Sequence, residues 1–132
     1  MTFLLDTDTI IYWLNGNENV EKKVAYIGIE NLAFSIISKA ELYFGAYNSG
    51  YVEQNINNIK TLSEKLPIVS FDDRAAMQFG IIKSSLRKQG LPLLDADILI
   101  ASIAIANRLT LVTNNEKHYS RIKDVQIENW AK

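Results

Sequence analysis

The most constraining feature of this 132-residue chain is a set of short, near-continuous apolar runs of β type separated by helical stripes. Four runs are clear: Thr2–Leu5, Leu32–Ile36, Ile68–Phe71 and Leu109–Thr113. A fifth, weaker run is Val125–Glu128. Strands that alternate apolar and polar residues suit a half-wet sheet. Strands apolar at nearly every position suit a parallel sheet covered on both faces. Between the runs, apolar residues recur at helical spacing. Val52, Ile56, Ile59, Leu62 and Leu66 form one stripe, Ala75, Phe79, Ile82 and Leu86 a second, and Val20, Val24 and Ile27 a shorter third. Ile98–Ala106 is apolar nearly all round and reads as a central buried helix. Strand and helix in alternation predict an α/β fold with right-handed crossovers. Residues 1–132 fit a single domain, without linker, repeat or low-complexity tract.

In such a fold the chemistry collects where strands end. Asp6 directly follows the first run, in Leu5-Asp6-Thr7-Asp8. Glu41 lies shortly after the second, in a Ser38-to-Glu41 capping-box pattern. Asp95 and Asp97 precede the apolar helix, and residues two apart on a helix do not share a face. One of them is expected to cap and the other to face a site. Thr113-Asn114-Asn115-Glu116 follows the fourth run and again has capping-box spacing. Each acid alone reads equally as a helix cap. Together they would repel one another unless a cation joined them. The chain has no Cys and one His, His118, so any metal site must rest on oxygen ligands. Mg²⁺ or Mn²⁺ suits such ligands and serves phosphoryl chemistry.

At these residues the chain resembles the PIN-domain ribonucleases, specifically the VapC-type toxins of toxin–antitoxin pairs. Four segments carry the likeness: Phe3-Leu4-Leu5-Asp6-Thr7-Asp8, Ser35 to Ala46 around Glu41, Asp97-Ile98-Leu99-Ile100-Ala101-Ser102, and Leu109 to Asn115. The resemblance implies a PIN-like three-layer sandwich, with a central parallel five-stranded sheet flanked by helices. It implies an Mg²⁺- or Mn²⁺-dependent endoribonuclease, neutralised by a VapB-type antitoxin and usually homodimeric. Carried over by residue, it makes Asp6, Glu41 and Asp97 catalytic, with Asp6 and Asp97 as metal ligands. Thr7, Asp8, Asp95, Thr113 and Asn115 are placed as auxiliaries. The family's fourth acidic position is Asn115 here, and the often acidic position shortly after it is His118. Products with 5′-phosphate and 3′-hydroxyl ends are implied.

Charge refines the expectation about RNA. There are 14 basic and 15 acidic side chains, a formal charge of −1. That is no profile for binding nucleic acid by bulk charge. Without Asp6, Glu41 and Asp97 the remainder has 14 bases against 12 acids. Modest, salt-sensitive RNA affinity is therefore expected. Lys117 and Arg121, close after Asn115, are the expected phosphate contacts. His118 is expected to be an ordinary loop histidine. No basic leader or membrane-length apolar run is seen, so a cytoplasmic protein without membrane contact is expected. A housekeeping PIN nuclease, a non-catalytic module whose acids only cap helices, and a receiver-type domain are the competing readings. Thr113-Asn114 stands where a receiver would need Lys.

Overall fold

A computed structural model describes residues 1–132. Five strands form: β1 (Phe3–Leu5), β2 (Leu32–Ser35), β3 (Ile68–Val69), β4 (Thr110–Val112) and β5 (Ile127–Glu128). They make one sheet in the order β3-β2-β1-β4-β5, and every pairing is parallel. All five expected runs are strands, each shorter than its apolar run.

The side-chain period of two explains why the runs are apolar throughout. Leu4, Ala33 and Leu111 point to one face, against helices α5 (Asp73–Gln89) and α6 (Asp95–Ala106). Leu5, Phe34 and Val112 point to the other. That face is covered by α1 (Thr7–Leu14), α2 (Glu18–Ile27), α3 (Ile36–Tyr47) and α4 (Val52–Lys65). The result is helix, sheet, helix in three layers. Burying such a strand leucine contributes roughly 2 kcal/mol, so a one-residue register slip would be opposed by both cores. Ile98, Ile100, Ala101, Ser102, Ile103 and Ala104 are all buried, as expected of α6. A short helix, α7 (Glu116–Tyr119), follows β4 and is anchored by fully buried Tyr119. No helix is long and apolar enough to cross a membrane.

The chain moves outward from β1 to β2 and β3, then returns to the other side of β1 for β4 and β5. The carboxyl ends of β1 and β4 therefore flank the point where the winding reverses. There the flanking helices diverge and leave a crevice.

Candidate active site

Asp6 stands at that reversal. Its backbone N–H donates to Val112 O (2.9 Å), which carries the parallel ladder one residue past β1. Its side chain caps α1, with Oδ1 accepting from Thr7 N (2.9 Å). Oδ2 accepts from the buried Thr113 hydroxyl (2.8 Å). Cap and candidate ligand are thus one residue. Asp8, in the first turn of α1, accepts from Thr9 N (2.6 Å) and Asn114 N (3.0 Å), tying the β4–α7 loop to α1. Thr113 Oγ1 also accepts from Asn115 N (3.0 Å), so one hydroxyl joins that loop to Asp6.

Glu41 arrives differently from the expected capping box. Ser35 caps α3, its Oγ accepting from Ser38 N (3.0 Å), so the helix begins at Ile36. Glu41 lies a turn deeper and is free of capping. Its Oε1 accepts from the Thr7 hydroxyl (2.6 Å), which also sits 2.9 Å from Ser38 Oγ. Nor does Thr113–Glu116 form a box. Asn115 begins α7 without a side-chain cap, and Glu116 instead holds Lys132 (2.7 Å) and Asn129 (3.0 Å).

Asp97 projects from the first turn of α6 and accepts from the Tyr119 hydroxyl (3.4 Å). The other α6 acid does not join it. Asp95 is exposed and pairs with Lys83 on α5 (2.9 Å), and the α6 cap position is Leu94, so neither acid caps. Placing Asp95 beside the site is corrected accordingly: two residues before Asp97 on the helix, its side chain is turned to the α5 side. Lys117 is exposed on α7, while Arg121 donates to Pro92 O (3.2 Å) and braces the loop before α6.

The electrostatics at this edge are unbalanced. Asp6 is 4% exposed, and burial lifts its pKa to about 7. Asp8 and, more weakly, Asp97 push the same way, against the hydrogen bonds from Thr113 and Thr7. Burial also raises Asp97, opposed by His118 and Tyr119. The Tyr119 phenol is raised by burial and then by Asp6, Asp97, Asp8 and Glu41, so all four carboxyls act on one buried hydroxyl. No Lys or Arg pairs with any of the four. The ion pairs involving those side chains are Arg74–Asp72, Lys83–Asp95 and Lys132–Glu116, all elsewhere. Uncompensated carboxyls at a sheet edge fit a hard cation. No three acidic or histidine side chains converge tightly enough to cage one unaided. That suits Mg²⁺, which takes one or two carboxylates and keeps its waters.

Two members of this arrangement lie outside the sequence expectations. Tyr119 is fully buried beneath the acids. His118 places Nδ1 3.8 Å from Asp97 Oδ2 and is not a bystander on a loop. Only the packing of α7 against the sheet brings them there. An aromatic four residues after Asn115, on the helix that Asn115 begins, is the single sequence clue.

The comparisons with known proteins agree with this architecture. The PIN domain matches residues 3–125. Ribonuclease VapC2 of Rickettsia felis is 34% identical over 134 residues, covering 100% of both chains. The tRNA(fMet)-specific endonuclease VapC of Salmonella typhimurium is 29% identical over 131 residues, covering 99% of both. Among solved structures, VapBC2 from Rickettsia felis bound to a DNA fragment from their promoter superposes with a TM-score of 0.91 at 33% identity. The match covers 98% of this chain and 99% of that one. Sequence motifs, the parallel sheet order and full-length identity therefore agree: this chain belongs to the PIN-domain family, among the VapC ribonucleases.

Proposed function

We propose that the protein is a divalent-metal-dependent endoribonuclease, the toxin of a toxin–antitoxin pair. The observation that carries the reading is Asp6, a buried carboxyl beside Asp8 and Asp97 with no basic partner. A helix cap needs only one acid at such a place. The ribonuclease names of the relatives support the same chemistry.

Asp6 and Asp97 are the residues that would hold Mg²⁺ or Mn²⁺, with Glu41 reaching the ion through water. Such an ion, when bound, polarises the phosphodiester and lowers the pKa of water for in-line attack. The chain's own residues fix the geometry. Thr113 and the N-terminus of α1 clamp both oxygens of Asp6. Thr7 aims Glu41 toward the same edge, and Tyr119 orients Asp97 from below. Asp8 holds the loop bearing Asn115. Exposed Lys117 on α7 is the proposed phosphate contact, with Arg121 four residues further along the chain.

An antitoxin of VapB type is the proposed partner, since similar chains occur in the VapBC structures from Rickettsia felis and Salmonella typhimurium. A groove of about 280 Å³ runs between α1, α3 and α4, lined by Ile11, Leu14, Leu42, Ala46 and Ile59, and it includes Glu41. A peptide laid in that groove meets Glu41 at its rim.

The test is to express the protein and sequence the RNA ends it creates, with Asp6→Asn as control. Initiator tRNA is the first substrate to try, given the Salmonella relative's name. New 5′-phosphate ends that vanish in Asp6→Asn, and on co-expression of the neighbouring gene's product, are expected. A folded Asp6→Asn variant cutting at the wild-type rate would sink the proposal.

A further inference from the structure

His118 has a place that the proposed chemistry has not yet used. Tyr119 is fully buried and anchors α7, so the residue before it is carried to the rim above the acids. The two oxygens of Asp97 then have different neighbours. Oδ1 faces the Tyr119 hydroxyl at 3.4 Å, and Oδ2 faces His118 Nδ1 at 3.8 Å. A separation of 3.8 Å is too long for a hydrogen bond. Around an ion with bonds of about 2.1 Å, adjacent ligands stand about 3 Å apart and opposite ones about 4.2 Å, so the two atoms need approach by only about 0.8 Å to become adjacent ligands. The imidazole is 47% exposed at its side chain and Asp97 is 18% exposed, so solvent and ions reach the gap between them.

We propose that His118 is a nitrogen ligand, beside Asp97, for the divalent cation of this site, and that it biases the site toward Mn²⁺ over Mg²⁺. The proposal rests on the metal-centre reading above and gives that centre a selectivity. Mg²⁺ is a hard ion that favours oxygen and dehydrates reluctantly. A neutral imidazole is a good ligand for first-row transition ions. One nitrogen in an otherwise all-oxygen set therefore shifts the ratio of affinities more than it shifts net charge.

The chain's composition makes the experiment clean, because His118 is its only histidine. The full-length protein, without a histidine tag, is loaded with Mn²⁺ and examined by electron spin-echo spectroscopy for ¹⁴N imidazole modulation. Mn²⁺ and Mg²⁺ affinities are measured by titration and competition for wild type, His118→Gln and Asp6→Asn, with melting curves to confirm folding. The wild type is expected to show the modulation and His118→Gln to lack it. The Mn²⁺-to-Mg²⁺ affinity ratio is expected to fall about tenfold in His118→Gln. Bound Mn²⁺ that shows no imidazole modulation in the wild type, with a ratio unchanged by His118→Gln, overturns this inference alone. If Mn²⁺ does not bind, or binds equally well to Asp6→Asn, the metal centre itself is refuted and the inference falls with it.

Discussion

Asp6 and Asp72 use the same local grammar with opposite outcomes. Each follows a parallel strand and each caps the next helix through its side chain. Asp72 is exposed, accepts from Ala75 N (3.0 Å) and pairs with Arg74 (3.2 Å). Its pKa is lowered, chiefly by the Ala75 hydrogen bond. Asp6 is buried, has no cation, and is pushed up to about 7. The difference lies in the strand each acid follows. β3 is an edge strand, so Asp72 meets solvent and an arginine. β1 is central, with β4 beside it, so Thr113, Asp8 and Asp97 close around Asp6. A cap becomes a candidate active-site acid through its position in the sheet, not through its own sequence.

The sharpest way to break this contrast is to neutralise each acid in turn. Asp6→Asn preserves size and the capping oxygen, yet should lower RNA cleavage by roughly a thousandfold or more, the scale of lost metal-assisted charge stabilisation. Asp72→Asn should leave cleavage within about twofold, because it only loosens an exposed ion pair. Equal losses from both would show that the two acids are merely caps. Single-turnover cleavage of a defined RNA, with circular dichroism as the folding control, decides it.

Stability against pH should separate the same two residues without any substrate. The folded pKa of Asp6 lies above its ordinary 3.8, so the metal-free native state holds a proton that the unfolded chain has already lost. Stability therefore falls as pH rises from about 4 to about 7, by at most about 4 kcal/mol from this residue. Asp97 is shifted in the same direction. Asp6→Asn should melt higher than wild type above pH 7, with the advantage vanishing near pH 4. Asp72 works in reverse: its stabilising charge is present above pH 3.8 and is lost as pH falls through its lowered pKa. Denaturant midpoints across pH 4–8 for both variants check the two signs. Added metal should offset the Asp6 penalty. At a hundredfold excess over its Kd, Mg²⁺ or Mn²⁺ should stabilise the fold by about 2.7 kcal/mol. That is a rise of several degrees in Tm, absent in Asp6→Asn and intact in Asp72→Asn.

The frame was legible in the sequence because burial on both faces leaves a direct mark. Leu4 with Leu5, Leu32 to Phe34, and Leu111 with Val112 are apolar at consecutive positions only because two cores need them. Asp6 was legible for the same reason, since it ends the first run, whereas Glu41 and Asp97 lie on α3 and α6 and were placed by motif resemblance alone. Cap assignment was harder to read. Ser38-to-Glu41 has the right spacing, but the backbone leaves the extended region at Ser35, which takes the cap first. Spacing cannot show where that departure falls. Tyr119 and His118 were illegible because α7 is only four residues long and has no periodic stripe. Their place is set by Tyr119 docking into the core beside α6, a contact distant in sequence.

Asp95 offers the finest test of whether geometry or sequence proximity decides membership in the site. It is two residues from Asp97, and its neighbourhood in sequence is as rich in promise. In space it belongs to the α5–α6 surface, where it meets Lys83 at 2.9 Å with both side chains about half exposed or more. An exposed pair of that kind contributes less than about 1 kcal/mol. Asp95→Asn should therefore change stability by about 0.5 kcal/mol or less, leave cleavage unaltered and leave the metal-induced rise in Tm in place. Asp97→Asn should abolish that rise. If the Asp95 variant instead lost cleavage while Lys83→Ala did not, the carboxylate would be acting on the site and not on its lysine. The carboxyl ends of β1 and β4 would then no longer suffice to mark which acids take part.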